Sequence, residues 1–241
     1  MRRYNGTDHG VLQLHSFVVS RALVLAAGRG ERMRPLSDST PKPLLKLGGK
    51  ALIEHHIHAL RRAGIREIVV NLAWQGHRLR EHLGDGAAFG VRIRYSDEGE
   101  HVLETGGGVL KALDLLGAGP FLVINGDIWT DFAFGPLSLA ENDLAHLVLV
   151  PNPEHNPDGD FALRAGRVLP QGEPKLTFSG IGVYREELFA GREPGAFPLA
   201  PLLRAAAAQG RVSGERYDGV WSDVGTPERL ETLRREQAGR D

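Results

Sequence analysis

The chain has 241 residues, 41% hydrophobic and 24% charged, with 30 acidic against 29 basic side chains and no cysteine. That length carries one full core, the near-zero net charge gives no general basis for binding nucleic acid or an anionic membrane surface, and the lack of cysteine excludes disulfides, thiolate metal sites and a cysteine nucleophile. No apolar run approaches the roughly 20 residues of a spanning helix, so the expectation is a cytoplasmic protein, monomeric or a small homo-oligomer, acting on small molecules. Residues 1–20 are polar, lack a period and have no cleavage signal; they read as a flexible N-terminal extension, with a single domain over residues 21–235.

Ala22 to Ala26 is an apolar run that predicts a buried strand, and it breaks into Gly28-Arg29-Gly30-Glu31-Arg32-Met33-Arg34. Glycines directly after a strand let the backbone turn tightly and approach a ligand closely, and Arg29, Arg32 and Arg34 call for an anion. A dinucleotide fingerprint needs a third glycine where Met33 stands, which argues against that reading. Pro41 and Pro43 then frame Lys42, expected in extended backbone, and fix where a long cation projects.

Helical spacing runs from Ala51 to Ala63 and stops at Gly64; Glu67 to Asn71 is strand-like, Gly76 to Leu83 helical, Val91 to Tyr95 a strand and Gly106 to Leu116 a helix. Phe121 to Asn125 is a further strand that ends in Gly126-Asp127. This alternation predicts an α/β chain: a Rossmann-like fold, a mostly parallel sheet with helices on both faces, and ligands at the carboxyl ends of the strands. The second half is mixed. Ala145 to Val150 is a strand, Pro151 to Gly159 a loop, Phe161 to Leu163 with Arg167 to Leu169 a hairpin, Thr177 to Tyr184 a strand, Leu199 to Gln209 a helix and Gly219 to Val224 a last strand. Thr226 and Pro227 then read as the N-cap and first position of a helix.

LAAGRGERMRP (25–35), PKPLL (41–45), Asn125-Gly126-Asp127 and Trp221-Ser222-Asp223-Val224-Gly225-Thr226 together resemble the signature of the sugar nucleotidyltransferases, also called NDP-sugar pyrophosphorylases, over residues 21 to 230. Such enzymes join a nucleoside triphosphate to a sugar 1-phosphate and release pyrophosphate. The resemblance implies that Leu25, Ala26, Ala27, Gly28, Gly30, Arg32, Lys42 and Gly107 bind the nucleotide. Arg32, with the amides of Gly28 to Gly30, would lie against the leaving phosphates and Lys42 against the α-phosphate or sugar phosphate. It also implies Mg²⁺ on Asp127 and Asp223, since that ion takes one or two carboxylates and completes its shell with phosphate oxygens and water. Catalysis would fall to Lys42, Arg32 and Asp127. Three glycines at 106 to 108 destabilise a helix start unless something approaches the backbone closely; the resemblance puts the base and sugar there. Glu104, Asn125, Asp160, Ser179 and Gly180 would border the sugar, while Asn71 and Trp74 either line the pocket or pack.

HVLETGGGVLKAL, NGDIWTD, HNPDGDF and LTFSGIGVY narrow the resemblance to the short bacterial enzymes that uridylate N-acetylmuramic acid 1-phosphate during cell-wall recycling. These lack the C-terminal left-handed β-helix of longer relatives, and no hexapeptide repeat follows here. UTP and that sugar phosphate are the implied substrates, with Arg94 and Lys175 as candidates for the lactyl carboxylate. One departure concerns Gly172-Glu173-Pro174-Lys175-Leu176, where many larger relatives carry a Glu-x-Lys-Pro segment; the role of that lysine does not transfer to Lys175. The alternatives are a mannose 1-phosphate guanylyltransferase, a glucose 1-phosphate enzyme, and a non-catalytic nucleotide-sugar-binding regulatory subunit. His55, His56 and His58 do not share a helix face at metal-ligand spacing and read as surface or packed histidines.

Overall fold

The computed structural model describes residues 17–99, 102–135 and 137–239; residues 1–16, most of the expected extension, lie outside the described residues. In chain order the elements are β1 (Phe17–Val18), β2 (Arg21–Leu25), α1 (Leu36–Ser39), β3 (Lys46–Leu47), β4 (Lys50–Ala51), α2 (Leu52–Arg62), β5 (Glu67–Leu72), α3 (Gly76–Leu83), β6 (Arg92–Asp97), α4 (Glu104–Leu116) and β7 (Phe121–Asn125). There follow β8 (Ile128–Thr130), β9 (Ser138–Leu139), β10 (Ala145–Val150), β11 (Phe161–Arg164), β12 (Arg167–Leu169), β13 (Lys175–Tyr184), α5 (Ala200–Ala208), β14 (Val212–Arg216), β15 (Trp221–Asp223) and α6 (Pro227–Ala238).

A nine-stranded sheet runs in the order β10-β14-β12-β11-β13-β7-β2-β5-β6. Strands β7, β2, β5 and β6 are mutually parallel, as the strand–helix alternation requires. The expected mostly parallel sheet stops there: β13 runs antiparallel to both β7 and β10, and β11 and β12 form an antiparallel hairpin. The reason is local. Ala165 and Gly166, both at positive φ, close a two-residue turn, which can join only antiparallel strands. Strand β14, parallel to β10, has no apolar run to announce it. Its Gly214 lets the strand in, since a Cβ there would stand 2.9 Å from the Leu147 carbonyl oxygen.

Alternate residues of the parallel strands feed opposite faces. Ala22, Val24, Ile68, Val70, Leu122 and Ile124 pack with Ile53, Ile57 and Leu60 of α2 and Leu79 and Leu83 of α3. Leu23, Val69, Phe121 and Val123 pack with Val109 and Ala112 of α4 and Leu202, Leu203 and Ala206 of α5. A third cluster joins Met33, Leu45, Leu47, Leu52, Trp129 and Val224 to Leu230 and Leu233 of α6. At the N-terminus the expected boundary moves. β1 pairs with β9, the Val19 amide donates to the Leu137 carbonyl at 3.1 Å, and the Val19 side chain is buried, so the folded unit includes residues before Arg21, from Phe17 among the described residues.

Candidate active site

A cavity of about 530 Å³ opens at the carboxyl ends of β2, β5, β6 and β7. This is where an open α/β sheet binds ligands, beside the strand at which the chain order reverses. Here that place is between β2 and β7, whose last residues Leu25 and Asn125 are register partners. Gly126 makes the approach possible: its amide donates to the Leu25 carbonyl at 2.8 Å, and a Cβ would stand 2.6 Å from that oxygen. Of the residues expected from sequence, Leu25, Ala26, Ala27, Gly28, Gly30, Arg32, Lys42, Glu104, Asn125 and Asp127 line the cavity together.

The loop after β2 is held from below by its misfit to a dinucleotide fingerprint. Met33 is fully buried in the third cluster, so the arginines on either side stay outside it. Gly30 is left-handed (φ 64°), its carbonyl accepts from the Ser37 hydroxyl at 2.7 Å, and its missing Cβ admits Lys42. Arg29 lies 4.8 Å over the exposed Trp74 ring and Arg34 pairs with Asp38 at 3.2 Å, whereas Arg32 lines the cavity.

Lys42 opens a short 3-10 turn (Lys42–Leu44) rather than standing in extended backbone, because the Leu44 and Leu45 amides return to the Pro41 and Lys42 carbonyls. Its side chain is 8% exposed and its Nζ donates to Asp127 Oδ2 at 2.8 Å. Asp127 in turn is tied to the last strand: its carbonyl accepts from the Val224 amide at 2.8 Å, and Ile128 is the register partner of Asp223. The two distant aspartates therefore sit on paired backbones. His56 of α2 braces this ribbon by donating from Nε2 to the Ile128 carbonyl at 2.9 Å. Complete burial keeps its imidazole neutral and lowers its pKa to about 4.

Asp223 does not line the cavity; Gly225 does. Arg229 Nη1 donates to Asp223 Oδ2, and His155 Nε2 is 3.2 Å from Oδ1. Neither pairing is announced by the sequence, although His155 opens one of the motifs and Arg229 stands three residues past Thr226.

A second network went unnoticed in the sequence. Buried Asn71 accepts from the Ala26 amide at 2.5 Å and donates to Glu98 Oε1 at 2.6 Å, while Glu98 Oε2 accepts from the Leu103 amide at 2.8 Å. Asn71 thus both lines the pocket and packs. Burial pushes the Glu98 carboxyl above its ordinary value, opposed by those two donors. Gly108 leaves room for the pair, as a Cβ would stand 2.7 Å from Glu98 Oε1. Gly107, expected from sequence to meet the ligand, lies outside the lining of the cavity. The amides of Gly106 and Gly107 already donate to the Phe197 carbonyl, and a Gly107 Cβ would collide with the Gly195 carbonyl. Packing of the 195–197 segment explains these glycines. Glu104 keeps its place in the cavity and holds a left-handed φ of 57° at the helix start, the kind of local strain that collects at functional sites.

Ser179 and Gly180 form a bulge opposite Val148 and Leu149. The Ser179 hydroxyl donates to the Val148 carbonyl at 2.7 Å and accepts from the Ile181 amide at 3.2 Å, so it serves the bulge; its carbonyl accepts from Trp221 Nε1. Gly180 (φ 80°) lies under the Asn125 side chain, whose Nδ2 a Cβ would meet at 2.6 Å. Asp160 Oδ2 accepts from the Phe178 amide at 2.8 Å. Asp160, Ser179, Gly180, Arg94 and Lys175 lie outside the lining of the cavity.

The nucleotidyl transferase family model matches residues 21–159. The chain is 54% identical over 219 residues to the N-acetylmuramate alpha-1-phosphate uridylyltransferase of Neisseria meningitidis serogroup B, covering 87% of this chain and 95% of that one. It belongs to the nucleotidyl transferase family. This nucleotidyltransferase is also 38% identical over 223 residues to the enzyme of the same name from Caulobacter vibrioides, covering 86% of this chain and 92% of the other. The inositol-1-phosphate CTP transferase of T. maritima superposes with a TM-score of 0.73 at 17% identity, over 93% of this chain and 99% of that structure, a likeness of fold.

Proposed function

We propose that this nucleotidyltransferase transfers the uridylyl group of UTP to N-acetylmuramic acid 1-phosphate, giving UDP-N-acetylmuramic acid and pyrophosphate. The observation that carries the reading is the convergence of the glycine-arginine loop, Lys42 and Asp127 in one cavity at the sheet's switch point, in a chain that matches a uridylyltransferase over nearly its whole length.

The chemistry is a displacement at the α-phosphorus. An ionised oxygen of the sugar phosphate attacks, the new oxygen–phosphorus bond forms as the α–β bridge breaks, and the electron pair leaves on pyrophosphate. No protein nucleophile is required. The chain's task is to gather two phosphorylated substrates and stabilise the charge that moves between them. Lys42, framed by prolines and nearly buried, presents one ammonium to the α-phosphate. Arg32 and the amides of Gly28 to Gly30 receive the leaving phosphates. Asn71, by holding the Ala26 amide, sets the level of that loop against the sheet, and Glu104 and Asn125 border the sugar.

The donor set suits Mg²⁺. Among the described residues no three His, Cys, Asp or Glu side chains form a metal cluster. Two carboxylates on paired backbones, with phosphate oxygens and water to complete the shell, are what this ion commonly takes. Asp127 and Asp223 would hold it, and when bound it neutralises phosphate charge. Among the described residues no helix is long and apolar enough to cross a membrane. The reaction would serve cell-wall recycling, carried out in the cytoplasm by a monomer or small homo-oligomer.

A matrix of triphosphates against sugar 1-phosphates, read as pyrophosphate release, tests the substrate choice. UTP with N-acetylmuramic acid 1-phosphate is expected to give the highest kcat/KM. A preference for GTP with mannose 1-phosphate, or for glucose 1-phosphate, would replace the substrates within the same chemistry.

A further inference from the structure

We propose that Arg229, on α6, is the positioning residue for Asp223, and that the C-terminal helix is thereby part of the metal-holding apparatus. This rests on the reading that Asp223 is one of the carboxylates that hold the divalent ion.

Asp223 stands at the end of a three-residue strand, and its side chain is about one-quarter exposed. Without a partner its carboxylate would turn freely. Arg229 donates to Oδ2, and among the described residues the other ionic partner of the carboxylate is His155, at 3.2 Å from Oδ1. The backbone that carries the guanidinium is well anchored. The Arg229 amide is capped by Thr226 Oγ1 at 3.4 Å, and the neighbouring Leu230 is fully buried in the cluster that also holds Val224 and Met33. The far end of the helix is tied down by Arg234, which donates to the Lys46 carbonyl at 2.9 Å and 3.1 Å.

Gly225 is the second, independent sign that this contact is built. It has no positive φ to explain it, yet a Cβ there would stand 2.8 Å from Arg229 Nη1 and 3.2 Å from Asp223 Oδ2. Any other residue at 225 would push into the pair. Electrostatics sharpens the point. A guanidinium beside a metal-holding carboxylate weakens its pull on a cation, so a pair maintained by a cap, a buried leucine and a glycine serves orientation rather than charge. Oδ2 is committed to the helix; Oδ1, which His155 Nε2 approaches at 3.2 Å, keeps a second lone pair for the cation.

The test uses the full chain and the Mn²⁺ complex of UTP as probe, read as the enhancement of water-proton relaxation, without sugar phosphate so that no turnover occurs. Wild type is expected to enhance relaxation and Asp223→Asn to lose the effect. Arg229→Met should raise the half-saturating probe concentration at least about tenfold, in the range seen when a partner of a metal ligand is removed. Arg229→Lys should recover part of it. Arg229→Gln, which removes the charge and shortens the reach but keeps a polar head, should follow Arg229→Met, and it carries the test if Arg229→Met fails to fold in a melting curve. Unchanged or tighter binding in the folded variants, alongside a loss in Asp223→Asn, overturns the positioning role alone. No enhancement in wild type overturns the metal reading of Asp223 together with this one.

Discussion

Lys42 and Asp127 meet at 2.8 Å in the cavity, one nearly buried and the other 42% exposed on its side chain, and this asymmetry decides what their removal does. Lys42→Ala leaves a carboxylate that water can reach, so the melting temperature should change little. The rate should not be spared: losing a preorganised cation at the reacting phosphate is expected to lower kcat by about 10²–10³-fold. Steady-state kinetics checks this, and a wild-type kcat would return Lys42 to the status of a structural ion pair. His56 supports the same ribbon by other means. Its folded pKa of about 4 lies below the ordinary 6.5, so the unfolded chain takes up a proton first as pH falls. The stability it contributes is complete above about pH 6.5 and is lost as pH falls from there towards 4, by at most about 1.4 kcal/mol per pH unit. Denaturant unfolding at a series of pH values should show this slope in wild type and a shallower one in His56→Gln, whose amide can still donate to the Ile128 carbonyl.

At the scale of elements, the site depends on how closely β2 and β7 end beside each other. Gly126→Ala places a methyl against the Leu25 carbonyl, which belongs to the sheet and cannot swing aside. A stability loss of about 1–3 kcal/mol is expected, with a fall in kcat because Asp127 is the next residue; thermal melting and kinetics on one preparation report both. These elements also show what a sequence can and cannot disclose. Apolar period and breakers located the parallel strands, α2, α3 and the N-cap of α6, since each signal is local. The glycines at 106 to 108 correctly signalled a close approach, but the approaching groups, the 195–197 segment and the Asn71–Glu98 pair, are remote in sequence and left no mark in spacing. Strand β14 was silent for a related reason: Val212 to Arg216 alternates poorly and is a strand because Gly214 fits against β10 and β12.

For the whole molecule, the parallel half forms the crevice, and the antiparallel half closes the sheet through β13 and returns the chain to the crevice as β15 and α6. Asp223 and Arg229 arrive by that return. The opening strand belongs to the same structure, so a chain starting at Arg21, which lacks β1 and the buried Val19, should be about 2 kcal/mol less stable than one starting at Phe17 by denaturant unfolding. Equal stabilities would show that the β1–β9 pair contributes nothing. The cavity at the β2–β7 switch point is proposed to transfer a uridylyl group, with Asp127 as part of its machinery. Mass spectrometry of the nucleotide product from UTP, Mg²⁺ and N-acetylmuramic acid 1-phosphate tests it most directly. Wild type should convert UTP to UDP-N-acetylmuramic acid and Asp127→Asn should form it orders of magnitude more slowly; UTP left intact by wild type, or equal product from the variant, would contradict the account.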